Sequence, residues 1–258
     1  MIQPNPHINP DCGIQVLSST TLFSNPKTFH QNKVPSLARL QNGKILLSFV
    51  GSSDEHSLDS SVLLSGSTDN GNSWTNPRIL YKENGWSCLN MGGLVPYSED
   101  FIRLIVGKIK IDYSLGGDEP FSDCMTGYFD SIDGGVTWDD QFREIDLFPA
   151  WTEVYGQSNP HLLENGKYIM ATMGTLGRDF QWHAGVSFCD PDDNYNFSNT
   201  NIIANNPERN YSDIDLTRLL DGRLLAVIRE HTLLKSVYSH SEDEGKTWSP
   251  ISYTGFLG

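Results

Sequence analysis

One eight-residue pattern occurs three times in this chain and strongly limits the folds it can adopt. The pattern Ser-x-Asp-x-Gly-x-[Ser/Thr]-Trp begins at Ser67, Ser131 and Ser241. One such match is roughly a one-in-a-thousand accident at ordinary residue frequencies, so three matches indicate an internal repeat. A degenerate copy begins at Asp190, with Asn194 in place of glycine and Phe197 in place of tryptophan. The four copies start about 50–65 residues apart, which suits one propeller blade each.

The residue types of this pattern predict a structural turn and not a catalytic site. The Asp carboxylate can accept hydrogen bonds from the backbone of its own turn, and the Gly supplies a left-handed conformation. The indole is a large apolar group that can pack beneath the turn while its N–H finds an acceptor. We therefore expect Trp74, Trp138 and Trp248 to be largely buried.

A second repeat precedes each copy of this eight-residue pattern, which we call a box. It has the form strand, tight turn, strand. Asn42-Gly43, Asn165-Gly166 and Asp221-Gly222 each lie between apolar runs, which is a strong hairpin signal. The second repeat is weaker, with its second strand predicted at 100–106. Each unit therefore reads as a hairpin, a third strand, a box and a fourth strand. Four-stranded units in series predict an all-β propeller; a β-sandwich does not require this spacing, and a β-helix repeats faster.

Composition excludes several partners. The net charge is −14, which argues against nucleic acid and anionic membrane surfaces. No apolar run has the length of a membrane span, and residues 1–13 lack the apolar core of a signal peptide. The compartment is left open, since a secreted or periplasmic location would require a further N-terminal segment. The four cysteines form no C-x-x-C pair, so no zinc site is expected and no metal or cofactor is implied.

The boxes and hairpins together resemble the sialidase (neuraminidase) superfamily, also called bacterial neuraminidase repeat proteins. The resemblance extends over nearly the whole chain, and Asp boxes also occur in propellers that are not sialidases. It implies a six-bladed propeller of which this chain supplies about four blades. Residues 1–258 are therefore expected to be one propeller domain that is incomplete at its C-terminus, and a closed four-bladed ring is the alternative.

The resemblance also implies site residues at the rim where the blade loops converge. The family's acid–arginine pair, placed on one hairpin, matches Asp213 and Arg229, with Asp where the family has Glu. The first family arginine matches Lys33, which keeps the charge but loses the bidentate fork. The acid/base Asp matches Asp59 by spacing, with Asp54 next.

Other rim positions carry aromatic, amide or basic groups that suit a sugar ring. The substrate-binding candidates among them are Tyr155, Gln157, Arg178 and His231; weaker candidates are Lys108, Lys110, Asp112, Glu153, Asp179, Trp182 and His183. The family's third arginine and nucleophilic tyrosine belong to the last blades, and no segment of this chain matches them.

The resemblance implies a glycoside hydrolase of the exo-α-sialidase type, acting on a glycan or sialoglycoconjugate. Arginines would clamp the sugar carboxylate, an Asp would protonate the leaving oxygen, and a Tyr would attack the anomeric carbon with retention. Two alternatives stay open. The Lys33 departure favours a glycosidase of the same fold acting on another, uncharged sugar. The other alternative is a non-catalytic Asp-box propeller that binds glycans or protein.

Overall fold

The chain is all-β and forms four antiparallel sheets that follow one another in chain order, in the arrangement of a β-propeller. A computed structural model describes residues 19–23, 29–54, 56–115, 121–148, 153–175 and 181–257. These residues form 17 strands and two single 3₁₀ turns, Tyr113–Leu115 and Pro191–Asp193. The predicted propeller blades are therefore confirmed.

Each sheet is one blade, numbered here from the N-terminus, with its innermost strand first. The first blade contains β1 (Gln31–Arg39), β2 (Ile45–Ser52), β3 (Ser61–Ser67) and β4 (Arg78–Tyr81). The second contains β5 (Ser87–Pro96), β6 (Ile102–Ile111), β7 (Phe121–Ser131) and β8 (Arg143–Glu144). The third contains a divided innermost strand, β9 (Glu153–Gly156) and β10 (His161–Leu162), then β11 (Tyr168–Thr175), β12 (Trp182–Asp190) and β13 (Asn196–Ala204). The fourth contains β14 (Tyr211–Arg218), β15 (Leu224–Glu230), β16 (Lys235–Ser241) and β17 (Ser252–Leu257).

The two ends of a blade differ in what they carry. The β1–β2 hairpin turn and the first box lie together, because Ile45 at the start of β2 pairs with Ser67 at the end of β3. Arg39 donates to the Asn70 side chain at 2.7 Å and links the turn to the box. We call this the box end. The opposite end, with the loop between the second and third strands, is the rim end.

The three boxes share one hydrogen-bond pattern, which confirms their structural role. In the second blade the Ser131 hydroxyl donates to Asp133 at 2.9 Å and accepts from the Gly135 amide at 2.9 Å. The Thr137 amide and hydroxyl donate to Asp133 at 2.8 and 2.6 Å. The same contacts recur around Asp69 and Asp243. Each Asp is therefore saturated by its own turn.

The box tryptophans are less buried than the sequence predicted. Trp74, Trp138 and Trp248 are all half-buried, and each indole N–H donates to the carbonyl of its own box glycine at 3.0–3.3 Å. One part of each ring packs on the core and the rest stays exposed, because the ring lies along the turn at the surface of the blade.

The degenerate copy in the third blade does not form a box. Asp190, at the position of the box Ser, caps the 3₁₀ turn by accepting from the Asp192 amide at 3.0 Å. Asn194 has φ +50°, as its replacement of glycine predicts, but Tyr195 also has φ +57°. Phe197 is buried in β13. Proline after Asp190 favours the helical turn, so the box geometry is lost.

The interface between neighbouring blades, here called a seam, is filled by apolar side chains. Leu46 and Leu64 of the first blade pack with Leu104 of the second. Ile105 of the second blade packs with Met170 of the third. Farther along, Ile169 of the third blade packs with Leu224 and the apolar residues around it in the fourth. The core is thus a series of seams, as expected when each repeat buries its face on the next.

One backbone carbonyl recurs as a polar link across the seams. It is the carbonyl five residues after the start of the box or box-like turn in the second, third and fourth blades. Arg78 donates to Val136 O at 2.8 Å, Arg103 to Tyr195 O at 2.8 Å, and Asn201 to Lys246 O at 3.0 Å. In each case the donor comes from the preceding blade, so the turn of one blade is fixed by a side chain of its neighbour.

The fourth blade presents one face to solvent. Strand β2 is buried on both faces, because Phe23 and Phe29 cover Leu47 and Phe49 on the side away from the second blade. Strand β15 instead alternates, with Val227 39% exposed. Among the described strands, none of the first blade makes an extensive contact with the fourth. The described residues also contain no apolar helix of bilayer-spanning length.

Candidate functional site

The innermost strand of every blade is irregular near its rim end. The pairing register shifts between Lys33 and Ser36 in β1, between Leu89 and Gly93 in β5, and between Ser212 and Asp215 in β14. In the third blade the same interruption divides the strand into β9 and β10. Bulges of this kind re-aim side chains and are frequent beside binding sites.

A polar network joins the first three of these interruptions. The Ser36 hydroxyl donates to Asn159 Oδ1 at 2.8 Å and accepts from the Leu94 amide at 2.9 Å. Gly93 passes so close that an added Cβ would lie 2.3 Å from Ser36 Oγ and 2.4 Å from Asn159 Oδ1. Sequence reasoning missed this network, although Gly92-Gly93 and Asn159-Pro160 are the irregular dipeptides that could have indicated it.

The acid–arginine pair forms an exposed ion pair at the rim end of the fourth blade. Arg229 donates from Nη1 to Asp213 Oδ2 at 3.0 Å, and the side chains are 46% and 53% exposed. Asp213 occupies the bulge with φ +44°, a conformation that Asp tolerates better than most residues. The bulge moves Asp213 out of the regular ladder, so its carboxylate reaches the arginine on β15.

His231 extends this pair into a chain of polar contacts. Its Nε2 lies 2.5 Å from the Ser212 hydroxyl, and that hydroxyl is 3.3 Å from Asp213 Oδ2. Partial burial first, and then the positive charge of Arg229, lower the pKa of His231 below its usual value. The neutral imidazole is therefore favoured at neutral pH, where it can accept one hydrogen bond and donate another.

The first-blade candidates lie together around the β2–β3 loop. Lys33 donates from Nζ to the backbone carbonyl of Asp54 at 3.3 Å. Asp59 accepts from the Ser57 hydroxyl at 2.5 Å and from the Ser53 amide at 3.1 Å. These contacts, the Ser57 bond first, lower the pKa of Asp59. They favour the carboxylate, so proton donation by Asp59 would require the serine contacts to rearrange.

The third-blade candidates differ in accessibility. Tyr155 is 2% exposed and its ring stacks on Trp182 with the centroids 5.8 Å apart, so it packs in the core in this structure. Gln157 is half-buried. Its backbone N–H donates to Ala171 O at 2.8 Å, and its side-chain nitrogen lies 3.8 Å from the Met91 sulfur. Arg178 lies outside the described residues.

The described candidates thus occupy the rim ends of three blades, and those of the first and fourth blades form two groups. Asp213, Arg229 and His231 form one group, and Lys33, Asp54 and Asp59 form the other. Together they provide carboxylates, cations and an imidazole, which can bind an acidic or hydroxylated ligand and move a proton. That the two groups share one cleft stays a prediction.

Four-stranded blades with Asp-box turns and an exposed acid–arginine pair at the rim end define a sialidase-type β-propeller. A family model described as the BNR repeat-like domain matches residues 43–257. This match covers most of the chain, so the protein belongs to the BNR repeat-like domain family.

Solved structures of similar fold include sialidases, a polysaccharide lyase and a protein of unknown function. The intramolecular trans-sialidase of Ruminococcus gnavus, solved with oseltamivir carboxylate, aligns with a TM-score of 0.71 at 12% identity, over 92% of this chain and 74% of that chain. A mutant of the NanB sialidase of Streptococcus pneumoniae aligns with a TM-score of 0.70 at 14% identity, over 92% of this chain and 54% of that chain. An ulvan lyase aligns with a TM-score of 0.57 at 14% identity, over 84% of this chain and 54% of that chain.

These identities show a shared fold and no more. The chain spans about half the length of the NanB sialidase and of the ulvan lyase, with 54% of each covered. No curated protein sequence matches the chain.

Proposed function

We propose that this protein processes glycans and is a glycoside hydrolase resembling exo-α-sialidases, which releases terminal sialic acid or a related sugar. The observation that carries the proposal is the Asp213–Arg229 ion pair, exposed at the rim end of a BNR-family blade. Glycan-active neighbours of the same fold support the choice of substrate class.

Arg229 is the group that would bind a sugar carboxylate. Only Nη1 is engaged with Asp213, and almost half of the side chain is exposed. A guanidinium can hold a second carboxylate through its remaining N–H groups in a bidentate geometry. Asp213 would orient the arginine and balance its charge between turnovers.

Proton transfer to the leaving oxygen is assigned to Asp59, with Lys33 and Asp54 lining the same side of the site. Gln157 and Arg178 would contact substrate hydroxyls, and His231 would hold Ser212 and the bulge in place. The third arginine and the nucleophilic tyrosine that the resemblance implies are assigned to no described residue.

One observation favours a second candidate, a glycosidase acting on an uncharged sugar. Lys33 takes the first cation position and borders a pocket of about 190 Å³ with Phe23, Pro35 and Phe49. A lysine offers no fork for a carboxylate, and apolar neighbours suit the C–H face of a neutral sugar.

Hydrolysis of fluorogenic 4-methylumbelliferyl glycosides tests both candidates. The panel contains the α-N-acetylneuraminide and the neutral β-galactoside, β-glucoside and α-fucoside. We expect the neuraminide to be cleaved and Asp213→Asn to lower its kcat/KM about 100-fold, because Arg229 would lose the carboxylate that orients it. The control is Asp221→Asn, which alters a comparably exposed Asp–Arg pair at the box end.

Cleavage of neutral glycosides alone would select the second candidate. Absence of cleavage across the panel, with a folded protein, would overturn the hydrolase proposal. Equal losses of kcat/KM in Asp213→Asn and Asp221→Asn would show that the Asp213–Arg229 pair has no specific role in the reaction.

A further inference from the structure

A separate cavity of about 670 Å³ lies at the box end of the seam between the second and third blades. It is at the opposite end of the blades from Asp213 and Arg229. Its walls combine aromatic rings with paired charges, from Phe101, Tyr128, Trp138, Tyr195, Asp139 and Arg143. Its volume falls within the range of small-molecule sites, roughly 300–1,000 Å³.

Beside this cavity the seam carbonyl is bound by a different residue than at the preceding seam. Arg78 pairs opposite Leu64 and Arg143 pairs opposite Tyr128, so the two arginines occupy the same register position in neighbouring blades. Arg78 crosses its seam to Val136 O. At the next seam the equivalent carbonyl, Tyr195 O, is taken by Arg103 from the central strand.

Arg143 is consequently left beside the cavity. Its Nη1 is held by Asp139 and lies 3.6 Å from Asp130, and its side chain is 39% exposed. Nε and Nη2 make no hydrogen bond within the part of the chain that the structure describes. These N–H groups are donors that a ligand can use.

The floor of the cavity is held rigidly. Arg103 is 3% exposed and makes two hydrogen bonds to Asp130, at 2.8 and 3.0 Å. Its guanidinium carbon lies 3.6 Å from the centre of the Tyr128 ring. Because each of its three nitrogens already donates a hydrogen bond and the side chain is buried, Arg103 supports the aromatic wall and leaves ligand recognition to Arg143.

The opposite wall is a strained turn. Tyr195 has φ +57° directly after Asn194 at φ +50°, and its ring packs on Tyr97 with the centroids 3.9 Å apart. A left-handed conformation is costly for tyrosine, and such strain is concentrated at functional sites. The turn brings an aromatic ring to the cavity at the position where the other blades carry a box residue of another type.

The charges that line the cavity favour a ligand with hydroxyl groups and no net charge. Arg103 and Arg143 face Asp130 and Asp139, so the cavity has two charges of each sign within a protein of net charge −14. A carboxylated or phosphorylated ligand would meet both carboxylates, whereas hydroxyl groups can pair with acid and arginine together. Aromatic walls complement the C–H face of a pyranose ring.

We propose that this cavity binds an uncharged pyranose sugar, stacked against Trp138 and Tyr195 and hydrogen-bonded to Arg143 and Asp139. The inference is independent of the hydrolase proposal. The site would hold a neutral part of a glycan away from the rim.

Titration of the intact protein with methyl β-D-galactopyranoside, methyl α-D-glucopyranoside, lactose and maltose tests this site. Binding is read by saturation-transfer NMR and by the change in tryptophan fluorescence, and Trp138→Phe identifies the part of that change that comes from Trp138 among the six tryptophans. We expect at least one probe to bind, Arg143→Ala to weaken it about tenfold, and Asp213→Asn to leave it unchanged. If Arg143→Ala melts at a lower temperature than the unmodified protein, Arg143→Lys, which keeps the charge, replaces it in this test.

Two results would overturn the proposal. One is that none of the four probes binds the folded protein. The other is that binding is lost in Asp213→Asn and kept in both Arg143 variants, which would place the sugar at the rim.

Discussion

Arg103 of the second blade donates a hydrogen bond to the backbone carbonyl of Tyr195 in the third, at 2.8 Å. The two residues are 92 positions apart in the chain. The same guanidinium is paired with Asp130 and is buried, so one side chain fixes both the blade and its neighbour. A charged residue of a central strand therefore contributes to the stability of this seam.

We expect Arg103→Ala to lower the free energy of unfolding by about 3–5 kcal/mol. The substitution leaves the Asp130 carboxylate without its main partner in a largely buried site. Urea unfolding followed by circular dichroism measures the loss. Arg223→Ala, which removes an exposed pair, should change the value by less than about 1 kcal/mol. Similar losses in the two variants would contradict the role assigned to Arg103.

Gly93→Ala should destabilise the protein more than Gly43→Ala does. Both glycines have positive φ, so both substitutions carry backbone strain of about 1 kcal/mol. A Cβ at Gly43 meets no atom within 4 Å, whereas one at Gly93 overlaps Ser36 Oγ and Asn159 Oδ1. Displacing these partners breaks the hydrogen bonds of Ser36 with Asn159 and Leu94 and adds about 1–3 kcal/mol to the loss. Thermal melting of the matched pair measures the difference, and equal melting temperatures would refute it.

Trp248→Ala should lower stability by about 2 kcal/mol, below the roughly 3–5 kcal/mol of a fully buried tryptophan. The ring is half-buried, so less apolar area is lost, while its hydrogen bond to Gly245 O is removed. Denaturant titration gives the value. A loss as large as that of a fully buried ring would mean that the ring contributes more than its exposed position indicates.

Stability should fall in acid over the interval set by the box carboxylates. Hydrogen bonds from Ser73 to Asp69 and from Thr137 to Asp133 lower both pKa values from 3.8 to about 2, and those from Thr247 also lower the pKa of Asp243. A depressed carboxyl pKa stabilises the fold above the unfolded value and loses that effect as pH falls through the folded value. Unfolding midpoints measured between pH 6 and pH 2 should decline most below about pH 4.

Asp133→Asn provides the check on this assignment. The variant should be less stable at pH 7 and should decline less steeply below pH 4, because one titrating box is removed. An unchanged pH profile would show that other carboxylates dominate acid unfolding.

Arg229→Lys should weaken binding of a carboxylated sugar about tenfold or more and change binding of a neutral sugar little. Lysine keeps the charge but cannot form the bidentate contact. Calorimetric titration with N-acetylneuraminic acid and with methyl β-D-galactopyranoside separates the two effects. Arg223→Lys at the box end is the control, and equal effects of the two variants would remove Arg229 from the proposed carboxylate site.

Much of the local architecture could be predicted from sequence because turn chemistry acts over a few residues. Asn42-Gly43 and Asp221-Gly222 form the expected hairpin turns, and the box at Ser131 forms its expected ring of hydrogen bonds. The match of Asp213 with Arg229 also led to two side chains that touch.

The burial of individual side chains could not be predicted from the sequence in the same way. Tyr155 was expected to bind substrate, yet its ring is 2% exposed and stacks on Trp182, because the orientation of a ring depends on the blade against which it packs. The box tryptophans are only half-buried because each ring lies along its own turn at the surface of the blade. The network around Gly93 was missed because Ser36 and Asn159 are 123 residues apart.

The sequence by itself determined the repeat, the turns and the alternation of strands, since each depends on residues close together in the chain. Only the tertiary structure decided which side chains meet across the seams. Arg78 and Arg143 occupy the same position in two similar blades, yet one binds the next turn and the other lines a cavity. The difference arises because Arg103 occupies Tyr195 O, the carbonyl equivalent to Val136 O, and which donor lies beside that carbonyl depends on how the blades are stacked.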